Sequence, residues 1–452
     1  MRWLFVAAAT LLAGVTLSLA PGSQAAQPEE GFFPFQYQLV ELDNGFKAYL
    51  IPVNEPGRLA YVSMVRTGSR DEVEEGKSGF AHFFEHMMFR GTEKYPYYDA
   101  VTTELGVDRN AFTSNDRTVY YLVGNSEYLE QIMDLESDRF RNLAYDESGF
   151  RTEAGSVLGE YSQGAASPGR WLNEKTRETA FERHTYRHTT IGFEADVRAM
   201  PEGYEYSKSF YRRFYRPENV ILVIAGDFDV ERAKDLVGQY YTEWEPGYVP
   251  PEIESEPPQS EARDRTVYYP GRTLPIVSVN YKSPAWSATD KMAVATEVLG
   301  QVAFGSNSDL YRKLVINEQR LQSLNAGFGL QRDPSLVDIS VMVKDPTDME
   351  QIKAEIQATI ERFQSELVDE KRLEDTKSNL KYGYLMGLET GQQVAFSLMT
   401  PIINTGTLEA IEDYYDTLAS LTPEDIREAA REVLKENGRT TITMLQAEGG
   451  AE

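Results

Sequence analysis

The stretch "GFAHFFEHMMFRGT", residues 79–92, decides how the rest of the chain is read. It sets His82, Glu85 and His86 close together in a chain that has only 4 histidines. Residues i and i+4 of an α-helix lie on one face, one turn apart, so His82 and His86 can aim their imidazoles at one ion. Zinc takes such ligands, and a hydrolytic zinc site needs three protein ligands with one position left open. Glu85 stands on the flank of that face. It is placed to hold a water without being a ligand and to act as general base, and zinc lowers the pKa of its water to about 7. Ser78 is the expected N-cap of this helix and Gly91 its expected C-terminal glycine. Phe80, Phe83, Phe84, Met87 and Met88 give it apolar flanks, and a dry wall strengthens the field of an ion. The plain alternative is a buried helix whose histidines pack or bond to backbone. The pattern His-x-x-Glu-His favours the metal.

A third ligand is expected from "FRTEAGSVLGEYSQG", residues 150–164. Glu153 and Glu160 lie two helical turns apart and share a face. Glu160 is assigned as the ligand, arriving from a second helix. Glu153 is assigned to orient or charge-balance the site. On the residues alone, both also read as solvated helix glutamates. A second pair, His184 and His188 in "HTYRH", has no adjacent carboxylate. Arg183 and Arg187 would repel a cation there, so no metal is assigned to it. Manganese or cobalt would suit the same ligands as zinc.

The 452 residues allow two or three domains with sizeable cores. With 41% hydrophobic residues, 27 Tyr and 21 Phe, the composition is globular. A net charge of −26 argues against nucleic acid and anionic lipid as partners and suits basic peptides. There are no cysteines, hence no disulfides and no thioether-linked lipid. The opening "MRWLFVAAATLLAGVTLSLAPGSQAAQPEE" reads as a secretory signal peptide over 1–25, cut after Ala25 or Ala26. An uncleaved anchor is the alternative; Gly14, Thr16 and the Ala-rich end favour cleavage. Without later membrane-spanning runs, the mature chain is expected in a bacterial periplasm, free of the membrane.

Residues 245–264, "EPGYVPPEIESEPPQSEARD", read as a linker between parts 31–244 and 265–448. The runs "LAYVSMVRTGS" (59–69) and "LPIVSVNYKSP" (274–284) both alternate like strands and lead into helical segments. Each part also closes with a helix-like segment followed by a β-rich run. An internal duplication accounts for both features. The expected fold class is therefore α+β: two homologous domains, each a mixed or antiparallel sheet with helices packed on one face.

Five blocks in order resemble the pitrilysin/insulinase group of inverted-motif zinc peptidases, which includes mitochondrial processing peptidase. They are "LDNGFKAYLIP", "VRTGSRDEVEEGKSGFAHFFEHMMFRGT", "NAFTSNDRTVYY", "TEAGSVLGEY" and "FYRPENVILVIAGDFD". The resemblance implies one zinc per chain, bound by His82, His86 and Glu160. It implies Glu85 as base and Glu153 as supporting glutamate. It makes Asn110, Ala111, Phe112 and Thr113 an edge strand that pairs with an extended peptide substrate, as open strand edges do. One feature departs. Aligned on Ser308, Leu310 and Leu314, the family's Arg and Tyr positions fall on Val315 and near Ser323, which cannot stabilise an oxyanion. The resemblance then implies a zinc endopeptidase working in a closed chamber as the catalytic subunit of a heterodimer. A homologous subunit without zinc would supply the Arg-Tyr pair; a homodimer is the alternative. The rival readings are a non-catalytic assembly subunit with a structural metal and a metal-free peptide-binding protein.

Overall fold

The computed structural model describes residues 31–447. The signal peptide expected over 1–25 lies outside them. Among the described residues eleven strands form two sheets. The first holds β1 (Gln38–Glu41), β2 (Lys47–Pro52), β3 (Arg58–Val65), β4 (Asp108–Thr113), β5 (Thr118–Asn125) and β6 (Val220–Gly226), in the order β1-β2-β6-β3-β5-β4. The second holds β7 (Arg263–Tyr269), β8 (Ile276–Lys282), β9 (Leu321–Gly327), β10 (Leu336–Val343) and β11 (Arg439–Gln446), in the order β7-β11-β8-β10-β9.

With β1 set aside, the two orders correspond strand for strand. In both, the first neighbouring pair is parallel, β2 with β6 and β7 with β11. The other pairs are antiparallel. The repeat inferred from the alternating runs is thus a repeat of topology. The run at 59–69 supplies β3, and the run at 274–284 supplies β8.

Helices cover one face of each sheet. Ala48, Leu50, Tyr61 and Leu222 of the first sheet pack against Phe80, Phe84, Phe210 and Leu236. Val277, Val279, Ile339 and Val341 of the second pack against Val298, Leu299, Ile426 and Ala430. The first sheet has a second cover as well. Tyr49, Ile51, Val62 and Val223 meet Val394, Leu398, Ile402 and Ile403 from far along the chain. The reason is visible in β6, "VILVIAG", which is apolar on both faces and buried throughout. A strand of that kind needs cover on both sides.

Residues 245–262 carry neither helix nor strand, and β7 takes up the end of the segment read as a linker. The segment is nevertheless tied down: Glu256 accepts hydrogen bonds from the backbone N–H groups of Glu182, Arg183 and His184. Among the described residues no single helix is long and apolar enough to cross a membrane.

Candidate metal centre

Helix α1 (Phe80–Met87) carries the motif. Its N-cap is Gly79, not the expected Ser78. A buried carboxylate does the capping: Glu72 accepts from Gly79 N at 2.8 Å and from Ala81 N at 2.6 Å. Its two oxygens satisfy orphan N–H groups of the first turn, while burial raises its pKa well above the usual carboxylate range. Ser78 is engaged elsewhere, donating from Oγ to Asp196 Oδ2 at 2.6 Å. Gly79 sits at φ 94°, and a Cβ there would meet the Ile191 carbonyl oxygen at 2.5 Å, so both backbone and space demand glycine. At the other end α1 stops at Met87 with Met88 as C-cap. Gly91 lies beyond it and serves the following turn, at φ 95°.

Helix α2 (Glu147–Gly164) starts on Asp146, whose side chain accepts from Gly149 N at 2.7 Å. Phe150, Ala154, Val157 and Tyr161 bury one of its faces, which leaves Glu153 and Glu160 toward α1. Glu160 Oε2 lies 3.4 Å from His82 Nε2 and 3.5 Å from His86 Nε2. Bonds of about 2.0–2.1 Å to a tetrahedral ion separate neighbouring ligand atoms by about 3.3–3.4 Å. The three donors therefore fit a zinc ion in size and in type. Among the described residues they form the one such cluster, all donor atoms within 4.8 Å of one another. Glu160 keeps 41% of its side chain exposed, so the cluster is open on one side.

The surroundings orient the donors. His86 Nδ1 lies 3.0 Å from Glu153 Oε1, which leaves Nε2 for the cluster. Arg90 clamps the other oxygen of Glu153, from Nε at 3.0 Å and Nη2 at 2.7 Å. Arg170, on α3 (Pro168–Ala180), stands 3.7 Å from Glu160 Oε1. Thr113 Oγ1 donates to Glu85 Oε2 at 2.6 Å.

The electrostatics divide the two histidines. Burial pushes His82 down to about 4, so it is neutral at pH 7. Hydrogen bonding to Glu153 and Glu160 pushes His86 up to about 9, so a proton and a divalent cation compete for its Nε2. The same bonds hold Glu153 and Glu160 below the usual carboxylate range. Burial raises Glu85 above it, which suits a group that must accept a proton.

The remaining sequence candidates fall as follows. Asn110, Ala111, Phe112 and Thr113 lie on β4, the terminal strand of the first sheet. Asn110 Oδ1 accepts from Ala111 N at 2.8 Å, and the Phe112 ring meets Phe396 at 6.2 Å. His184 Nε2 is 3.0 Å from Asp333 Oδ2, and His188 Nδ1 is 3.0 Å from the Thr189 carbonyl oxygen. Val315 packs against the second core, and Ser323 lies on β9. A cavity of about 720 Å³ opens beside Glu85 and His86, walled by Phe89, Arg90, Tyr97 and Tyr98. Sequence reasoning missed Glu72, Arg90 and the role of Thr113. Arg90 lies past the end of α1, in the turn that follows, so helical spacing does not announce it.

The fold is that of a class of peptidases, and comparison with known proteins names the family. The model described as Insulinase (Peptidase family M16) matches residues 51–193. The model described as Peptidase M16 inactive domain matches 203–380. The chain belongs to the M16 family of peptidases. It is similar to the zinc protease PqqE of Helicobacter pylori, 26% identical over 439 residues, covering 95% of this chain and 97% of that one. Human insulin-degrading enzyme is 28% identical over 235 residues, covering 50% of this chain and 23% of its own length. The crystal structure of a protease from Helicobacter pylori superposes with a TM-score of 0.84 at 26% identity, covering 91% of this chain and all 100% of that one. The fold also matches the periplasmic protease PqqL from Escherichia coli, with a TM-score of 0.75 at 19% identity, over 94% of this chain and 48% of that one. The chain thus spans about half the length of that larger relative.

Proposed function

We propose that the chain is a zinc endopeptidase exported to the periplasm, with the metal held by His82, His86 and Glu160 in a catalytic part spanning 31–244. The observation that carries this reading is the single carboxylate oxygen of Glu160 poised 3.4 and 3.5 Å from two histidine Nε2 atoms. A bound zinc supplies Lewis acidity there, lowering the pKa of coordinated water to about 7 and polarising a carbonyl.

The chain's own groups do the rest. Glu85 is the general base. Thr113 holds its Oε2, and the other oxygen takes a proton from the attacking water and later passes it to the leaving amine. Glu153 keeps the His86 Nδ1–H directed at itself, with Arg90 fixing the carboxylate. Residues 110–113 of edge strand β4 offer backbone N–H and C=O groups to an extended peptide, giving grip without strong side-chain selection. The part over 265–448, joined through 245–264, carries no comparable cluster among its described residues. By the resemblance, the positions from which the family supplies an Arg and a Tyr fall on Val315 and near Ser323. We read the chain as the catalytic subunit of a heterodimer that closes a chamber around its substrate.

The experiment is a quenched-peptide assay of the chain, alone and with a homologous subunit, with and without chelator, for wild type and Glu85→Gln. The reading requires activity that vanishes on chelation and in Glu85→Gln, and that rises with the partner. Activity surviving both treatments places the chemistry elsewhere.

A further inference from the structure

A second cavity, of about 440 Å³, lies between α3 and the second sheet. That size suits a small ligand. Its wall mixes apolar side chains such as Leu172, Phe181 and Ile276 with polar ones. From β8 and β10 it takes Ser278, Asn280, Asp338 and Ser340, which neighbour one another across the strand pair: Asp338 faces Asn280, and Ser340 faces Ser278. From α3 it takes Thr176 and Arg177.

Three of these groups lack the partners that burial demands. Thr176 is 5% exposed, and its Oγ1 has no hydrogen-bond partner among the described residues. Asp338 is desolvated, and burial alone pushes its pKa up to about 6; no neighbouring cation offsets that. Arg177 donates to Asn173 Oδ1 and to the Tyr186 carbonyl; the charge of Asp116 acts on it from a distance, but no carboxylate among the described residues forms an ion pair with it. Desolvated charges are retained when something compensates them. Here one anion and one cation face the same space without pairing with each other. The carboxylate is also given room: Asp338 pairs with Gly327 on β9, where a Cβ would meet its Oδ1 at 2.2 Å.

We propose that this cavity binds a small zwitterion of dipeptide size, its ammonium on Asp338, its carboxylate on Arg177, and a hydrogen bond to Thr176 Oγ1. Two fixed charges of opposite sign select a ligand that carries both, and they reject one with either end blocked. The site is separate from the His82–His86–Glu160 cluster and does not depend on the peptidase reading.

The test is calorimetric titration of the full chain as Glu85→Gln, which prevents turnover, with Gly-Ser at about pH 7.5. Acetylating the amine or amidating the carboxylate should each weaken binding at least about tenfold. Asp338→Asn should weaken Gly-Ser binding and abolish the penalty for acetylation while keeping the penalty for amidation. Arg177→Gln should do the converse. Gly327→Ala, which crowds the Asp338 carboxylate, and Thr176→Val should each weaken binding even if Arg177→Gln fails to fold. Binding should persist after chelation. Equal affinity for blocked and free dipeptides, no saturable binding, an acetylation penalty that survives Asp338→Asn, or loss of binding on chelation overturns the proposal.

Discussion

Thr113 Oγ1 donates a 2.6 Å hydrogen bond to Glu85 Oε2, tying the end of edge strand β4 to the carboxylate that flanks the histidines. In the proposed function the same strand holds the substrate backbone, so Thr113 would align the base with the peptide. A charge-assisted bond of this kind is worth about 1.5–3 kcal/mol. Thr113→Val should therefore lower kcat/KM by about tenfold or more, with metal content unchanged, and Thr113→Ser should restore most of it. Steady-state kinetics beside elemental analysis checks this. Full activity in Thr113→Val would show that the bond does not position the base.

Glu153 holds His86 Nδ1 on one oxygen and Arg90 on the other. Groups that orient a metal ligand in this way typically contribute 10–100-fold in affinity. Glu153→Gln should weaken zinc binding by about that factor without unfolding the chain. Competition with a chromophoric chelator measures it; an unchanged constant would remove Glu153 from the site.

Glu72 caps α1 from inside the core with two short bonds to Gly79 N and Ala81 N. Glu72→Ala leaves those N–H groups buried without an acceptor. The expected cost is about 3 kcal/mol of unfolding free energy, read by urea denaturation. A cost within about 0.5 kcal/mol would mean the helix start is held by something else.

His188 is buried, and desolvation pushes its pKa down from 6.5 to about 4. The folded chain thus keeps it neutral while the unfolded chain protonates it. Its stabilising contribution is complete above the unfolded value and is lost as pH falls from about 6.5 to about 4. The stability of wild type relative to His188→Gln should fall by about 3 kcal/mol across that window; carboxylates remote from His188 cancel, while Glu72, whose Oε2 lies 3.8 Å from His188 Nδ1, does not. A difference that does not change with pH would contradict the buried neutral histidine.

Local spacing carried much of this site in the sequence. The i, i+4 histidines and the two glutamates two turns apart depend only on helical period, and both pairs sit on one face in the structure. The alternating runs likewise yielded β3 and β8. What stayed hidden depends on contacts between distant segments. Ser78 looked like the cap because capping preferences are local, yet Glu72 reaches α1 across a loop and displaces it. The partnership of Thr113 with Glu85 needs the sheet to bring β4 over α1. The second cover of the first sheet comes from residues 394–403, which no pattern near β6 announces. Asp338 and Arg177 acquire meaning only when α3 lies against the second sheet.

The central claim is that His82, His86 and Glu160 hold one ion. Zinc stoichiometry by elemental analysis, on wild type and on Glu160→Gln and His82→Ala, tests it most directly. The account predicts about one zinc per wild-type chain and a small fraction of that in either variant, with both variants still folded. Zinc retained at full stoichiometry in the variants, or absent from zinc-replete wild type, would contradict it.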